Sequence, residues 1–301
     1  MSIRQYYPGA KLGVVCKVFG RTRQAWYKQR WAIDNTDVRD AILLEHVQEV
    51  RKDIPRIGTR KLHHLLAPVF EEHKIQIGRD KFFDLLAEHS MLVRRRKRRK
   101  AITTDSNHPF YKYPNLIRDL EVTRPNHVWV SDITYLRLMN GFGYLSLVTD
   151  AYSRKIVGYC LYPTLERIGP LKAAEMAIAH YTRNRNQPLV HHSDRGLQYC
   201  CADYTGLMEQ HDISISMTEN GDPYENAIAE RMNGILKHQF GLNQTFRNFT
   251  EAMQTVDKAI ATYNNIYPHG SCDYLTPEQA HTKQGKLSSK WKRKQIETTV
   301  N

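Results

Sequence analysis

Three acidic residues stand out by the company they keep. Asp132 interrupts the apolar run VWVSDITYLRL (128–138), where an aspartate is disfavoured and its charge is costly to bury unless paired or metal-bound. Asp194 closes LVHHSD, where a short apolar run opens into RGLQY. Glu230 lies in AIAERMNGILK, where Asn226, Glu230, Asn233 and Lys237 recur at helical spacing as one polar stripe. Ile228, Met232 and Ile235 form an apolar stripe on the opposite face, which would seat the helix on a sheet. Carboxylate oxygens hold Mg²⁺ while leaving positions for water and phosphate. Two such ions roughly 4 Å apart would activate an attacking oxygen and stabilise a leaving one in an in-line phosphodiester displacement. Other acids compete. Asp150, at the end of YLSLVTD, is the foremost rival, and Asp222 and Glu225 flank Pro223. Three acids chosen from 31 do not define a site, so the elements that carry them decide the matter.

Around these acids the chain reads as strand and helix in a definite order. VWVSDITYLRL, YLSLVTD (144–150) and KIVGYCL (155–161) are rich in β-branched and aromatic residues, and NGFG and AYSR join them as turns. That predicts an antiparallel meander. A helix over 171–185, the strand LVHHSD, a helix near ADYTGLMEQH, the strand ISISM and a long helix from Tyr224 to about Phe240 follow. The order βββαβαβα predicts an α/β domain, a mixed sheet flanked by helices as in the ribonuclease-H-like fold. Trp129 and Tyr135 are expected in its core.

The N-terminal third reads as helical. LGVVCKVF, a break at Gly20 and RTRQAWYKQRW, with Trp26 as a candidate for burial, give a helix-turn-helix pattern over residues 1–33. RKLHHLLAPVF, a connector containing IQIG, and RDKFFDLLAEHSML give a second such pair within residues 34–100. Residues 101–123, with Pro109 and Pro114, read as a linker, 124–282 as the α/β domain and 283–301 as a basic tail.

Charge follows the same division. The chain carries +13, of which residues 1–123 hold +11, residues 124–240 hold −1 and the remainder +3. A basic front joined to a nearly neutral middle favours a polyanion, because each phosphate neutralised by Lys or Arg releases counterions. Candidate DNA contacts are Arg21 and Arg23 on the first pair, and Arg60, Lys61, Arg79 and Lys81 at the helix starts of the second. The seven consecutive cations Arg94, Arg95, Arg96, Lys97, Arg98, Arg99 and Lys100 would form a strap along a DNA backbone.

Several classes are excluded. No apolar run approaches the ~18 residues that cross a bilayer, and MSIRQYYPG lacks a signal-peptide apolar stretch, so no membrane partner is expected. Five scattered cysteines (Cys16, Cys160, Cys200, Cys201, Cys272) without a CxxC pair argue against a disulfide framework or cysteine-rich zinc site and fit a cytoplasmic protein. No Walker-type glycine loop is present. His191, His192 and His269 suit structural or phosphate contacts better than proton transfer.

WVSDITY, HSDRGLQY and GDPYENAIAERMNGILK, with YNNIYPHGSCDYLTPEQA behind them, resemble the insertion-sequence transposases of the IS-three type, second reading frame, within the DDE transposase and retroviral integrase superfamily. Thirty-five residues separate Asp194 from Glu230, similar to the spacing that names the family's triad. The resemblance covers residues ~120–282 strongly and 55–100 more loosely. It implies an integrase catalytic core preceded by all-α helix-turn-helix domains, with Asp132, Asp194 and Glu230 as the metal-binding catalytic acids. Two Mg²⁺ ions per site, or Mn²⁺ as substitute, are implied, as is Lys237 as a contact to the element's end. Asn226, His192 and Arg195, which sit in the same motifs, are expected to support the acids. Asp150 falls at an acid position outside the triad. Departures are Tyr267 for Arg, Cys272 for Leu and Leu197 for Ser. The resemblance further implies cleavage and strand transfer at terminal inverted repeats, a homodimer or higher oligomer on DNA, and the product of an upstream overlapping frame as a possible partner. The alternative is a non-catalytic DNA-binding regulator.

Overall fold

The computed structural model describes residues 9, 11–93, 109–181, 187–219 and 226–287, with side chains 32–35 left aside. The run Arg94–Lys100, the acids Asp222 and Glu225 and most of the expected basic tail lie outside the described residues. Two compact units are present, Met1–Val50 with Leu66–Leu92, and Arg51–Leu65 with Val93–Asn301.

In the first unit, α1 (Leu12–Val18) turns into α2 (Arg23–Asp53) through Gly20, whose φ of +63° is the left-handed conformation glycine adopts freely. The Thr22 hydroxyl accepts from the Ala25 amide at 3.1 Å, which satisfies an open donor at the start of α2. The boundary expected between residues 33 and 34 falls inside this 31-residue helix. Trp26 is only half-buried and meets Tyr27 edge-on at 5.0 Å. The stretch RKLHHLLAPVF, read as one helix, is two, α3 (Thr59–Leu65) and α4 (Ala67–Glu72). Pro68 has no amide to donate and its ring obstructs a continuing helix, so a new first turn begins there. With α5 (Arg79–Glu88), the first unit closes over Leu43, Val47, Leu66, Ile77, Phe82, Leu85 and Leu86. The second expected helix pair is thus divided, because α3 belongs to the other unit.

The second unit holds the sheet. Its strands are β1 (Val128–Leu138), β2 (Gly141–Asp150), β3 (Ile156–Tyr162), β4 (Val190–Ser193), β5 (Ser214–Met217) and β6 (Thr245–Phe246). The order is β3-β2-β1-β4-β5, with β6 against the far end of β1. β1, β2 and β3 form the antiparallel meander that their sequences predict, and β4 and β5 run parallel to β1. Helices α6 (Ile168–Ala179), α7 (Leu197–Cys200), α8 (Ala202–Gln210), α9 (Ala227–Gln239), α10 (Phe249–Ile266) and α11 (Pro277–His281) complete a mixed sheet flanked by helices. Side chains alternate across β1 as a pleated strand requires: Trp129 joins Ala173, Ala177, Tyr204 and Met208 on one face, whereas Val128 and Val130 join Ala229 on the other. α6 lies so close to β3 that a Cβ on Gly158 would stand 2.0 Å from the Ala173 carbonyl oxygen. Among the described residues no helix is long and apolar enough to cross a membrane.

Candidate active site

Asp132 sits in the middle of β1, opposite Leu147 of β2. On its other side β1 pairs with β4 only from Val128 to Val130, with Val130 level with His192. Asp194 follows just past the end of β4, and its charge acts on the Asp132 carboxyl. Helix α9 supplies the third acid and is pinned to β1 at two points. Asn226 Nδ2 donates to the Ser131 carbonyl at 3.0 Å, and Asn233 Nδ2 donates to Asp132 Oδ2 at 2.7 Å. Glu230 lies between these anchors along the chain, exposed in the first turn of α9, where the helix dipole favours a carboxylate. The polar stripe therefore does not lie wholly away from the sheet: Asn226 and Asn233 are buried against β1 beside the apolar Met232 and Ile235.

The other two acids act on Asp132. Burial pushes Asp132 up to about 7, Asp194 and Glu230 add to the rise, and hydrogen bonds from the Ile133 amide (2.8 Å) and Asn233 oppose it. Asp194 Oδ1 accepts from the Gly196 amide at 3.0 Å, which orients it at the head of α7. Among the described residues no group of three or more His, Cys, Asp or Glu side chains stands arranged to hold a metal ion. Like charges drawn together in this way are stabilised by a cation between them. The donor types suit a hard cation. They include carboxylates on three separate elements, and the Asn226 and Asn233 carboxamide oxygens are buried without a hydrogen-bond partner among the described residues. Those oxygens could accept from metal-bound water.

Lys237 is two turns beyond Glu230, its ammonium 4.5 Å from the Tyr135 ring centroid. Burial lowers its pKa, Asp132 raises it and Arg137 lowers it. Tyr135 is half-buried rather than core and meets the exposed Phe142 edge-on at 5.5 Å. His192 is fully buried, its Nδ1 2.9 Å from the Ser216 hydroxyl. His191 is likewise buried against Ser131 and Tyr204, and burial lowers its pKa to about 3. Arg195 is half-buried in the loop after Asp194.

The rival acid has another occupation. Asp150 is fully buried, and its oxygens accept from the Asn126 amide, the Ser153 amide and the Ser153 hydroxyl, each at 2.7 Å. It closes the β2–β3 turn.

The expected DNA contacts separate by exposure. Arg21, Arg23, Arg60, Arg79 and Lys81 are exposed, Arg21 bonded to Gln29 and Arg79 paired with Asp80. Lys61 is not a free surface cation. Its ammonium lies 3.5 Å from the centroid of the Tyr267 ring, and burial, then Arg231, lower its pKa to about 7. Within the same unit the Arg56 amide donates to Gln239 at the end of α9, and His64 stacks on Tyr274 at 5.0 Å. Residues 51–65 are thus a brace for the helix that carries Glu230.

Residues 122–223 and 211–277 each match a family described as an integrase core domain. The chain is 32% identical over 281 residues to the insertion element IS600 uncharacterized 31 kDa protein of Shigella sonnei, covering 91% of this chain and all of that protein. It is 35% identical over 169 residues to the transposase InsF for insertion sequence IS3A of Escherichia coli, covering 56% of this chain and 58% of that transposase. The chain belongs to the IS3-type DDE transposases. Among solved structures, the catalytic core domain of HTLV-2 integrase in complex with magnesium aligns at 20% identity and a TM-score of 0.42, over 52% of this chain and 97% of that one. Sequence reasoning did not find that this transposase holds Asp132 through Asn233. The signal present was the position of Asn233 on the Glu230 stripe, but its partner lies 101 residues away.

Proposed function

We propose that this transposase cuts and joins DNA at the terminal inverted repeats of an insertion element, with Asp132, Asp194 and Glu230 holding two Mg²⁺ ions, or Mn²⁺ in their place. The observation that carries this reading is the half-buried Asp132 carboxyl, pushed up to about 7 by burial and by the two other acids. Such a group is stabilised as an anion by a hard divalent cation. Bound there, the ions would polarise the scissile phosphate and ease ionisation of the attacking oxygen, first of water and then of a DNA 3′-hydroxyl.

The chain's own residues do the positioning. Asn233 fixes the Asp132 carboxyl, Asn226 fixes α9, and Lys237, steadied on Tyr135, offers a cation to the phosphate backbone of the element's end. Arg21, Arg23, Arg60, Arg79, Lys81 and the run Arg94–Lys100 would hold flanking duplex by charge. Both ends must be joined, so the working form is a homodimer or higher oligomer on DNA, in the cytoplasm at the nucleoid, with the product of an upstream frame as a further partner. The test is incubation with labelled candidate ends, with and without Mg²⁺: nicking that requires Mg²⁺ supports the reading. End binding with no nicking would make the chain a regulator instead.

A further inference from the structure

Helix α6 covers one face of the meander only in part. It lies on β3 at Gly158, and its first turn crosses the face where a Cβ on Gly169 would stand 3.2 Å from Ser146 Oγ and 3.3 Å from Tyr162 Cβ. Past that turn the same face continues. Tyr144 of β2 is directly opposite Tyr135 of β1 and directly opposite Tyr162 of β3. Residues paired across antiparallel strands project to the same face, so the three tyrosines form one row across three strands, about 10 Å from first to last. All three are half-buried. Phe142, 48% exposed, extends the row towards the hairpin and meets Tyr135 edge-on at 5.5 Å.

Cations border the row at both ends. The Lys237 ammonium lies 4.5 Å from the Tyr135 ring centroid, and the Lys172 ammonium 5.5 Å from that of Tyr162. Arg137 is exposed and pairs across the hairpin with Phe142. Among the described residues neither Arg137 nor Lys172 forms an ion pair. Accessible rings edged by unpaired cations suit a single nucleic-acid strand, whose bases stack on the rings while its phosphates meet the cations. A duplex keeps its base faces in its own stack and cannot use the rings. The row is also near the acids: Tyr135 follows Asp132 by three residues, about 10 Å along β1, at the end of the sheet where β4 gives way to Asp194.

We propose that Tyr135, Tyr144 and Tyr162, with Arg137 and Lys172, form a stacking surface for an unpaired DNA strand beside the catalytic acids, about one base to each ring. The inference rests on the reading of the chain as acting on DNA, and adds to it a surface that takes strands separated at the cleaved end.

The experiment uses the full chain without metal and two probes, a labelled oligothymidylate carrying 5-iodouracil and a fully paired element-end duplex. Irradiation is expected to crosslink the oligothymidylate to the peptides that hold Tyr144 and Tyr162. Tyr144→Leu with Tyr162→Leu should weaken oligothymidylate binding about tenfold and leave duplex affinity within twofold of wild type, whereas the two Phe replacements should keep both. Arg137→Gln with Lys172→Gln alters only exposed side chains, so it tests the surface even if the Leu variant fails to fold; it too should weaken the single strand selectively. Equal losses on both probes, or crosslinks elsewhere with single-strand affinity within twofold of wild type in the Gln variant, would overturn the proposal and leave the rings to a protein contact. Neither result touches the acids, whose test is Mg²⁺-dependent nicking of paired ends.

Discussion

In metal-free protein the Asp132 carboxyl is held at about 7, against 3.8 for the free group. The sign follows from linkage. Between those two values the folded protein holds a proton that the unfolded chain releases, so metal-free stability falls as pH rises from about 4 to about 7. The total is on the order of 4 kcal/mol. Thermal unfolding of metal-free protein is therefore expected to move to lower temperature from pH 5 to pH 8, and Asp132→Asn should flatten that trend. An unchanged slope in the variant would place the titration elsewhere. Asn233 acts on the same carboxyl through its 2.7 Å hydrogen bond. Asn233→Ala should lower kcat for end cleavage about 10- to 100-fold while leaving the dissociation constant for end DNA nearly unchanged. Equal losses in both would assign Asn233 to DNA binding.

The elements were largely legible in the sequence because their signals are local. Alternating β-branched and aromatic residues with short turns gave the β1–β2–β3 meander, and the Asn226–Lys237 stripe gave α9. What escaped depends on long-range packing that leaves no local trace. Asp150 and Asp132 look alike as acids in apolar strands, yet only the fold shows Asp150 consumed by Asn126 and Ser153. Asp150→Ala should therefore destabilise the protein by about 3 kcal/mol, and Mg²⁺ should not restore the lost stability; recovery on adding Mg²⁺ would return Asp150 to the metal site. The break between α3 and α4 was present in the sequence as Pro68, outweighed by the apolar spacing on either side. Gly158 gave no sign of its importance, since only the approach of α6 makes a Cβ impossible there. Gly158→Ala is expected to lower the unfolding temperature steeply, by about 3 kcal/mol or more, and a neutral result would mean that α6 can withdraw from β3.

Over the whole molecule the charge asymmetry is the broadest signal and the structure refines its use. Lys61, expected from its sequence to touch DNA, is spent on Tyr267, whereas Arg60 beside it is exposed. The run Arg94–Lys100 should dominate non-specific affinity. Replacing its seven cations with Ser should flatten the dependence of log K on log salt by about 0.9 for each phosphate no longer neutralised, whereas Lys61→Ala should leave that slope alone and lower stability. A reduced slope for Lys61→Ala would restore it to the DNA surface. The most direct measurement is Mg²⁺-dependent nicking of labelled element ends by wild type, Asp132→Asn, Asp194→Asn and Glu230→Gln. Nicking should vanish in each of the three variants while end binding persists, and cleavage at the wild-type rate in any one of them would contradict the account.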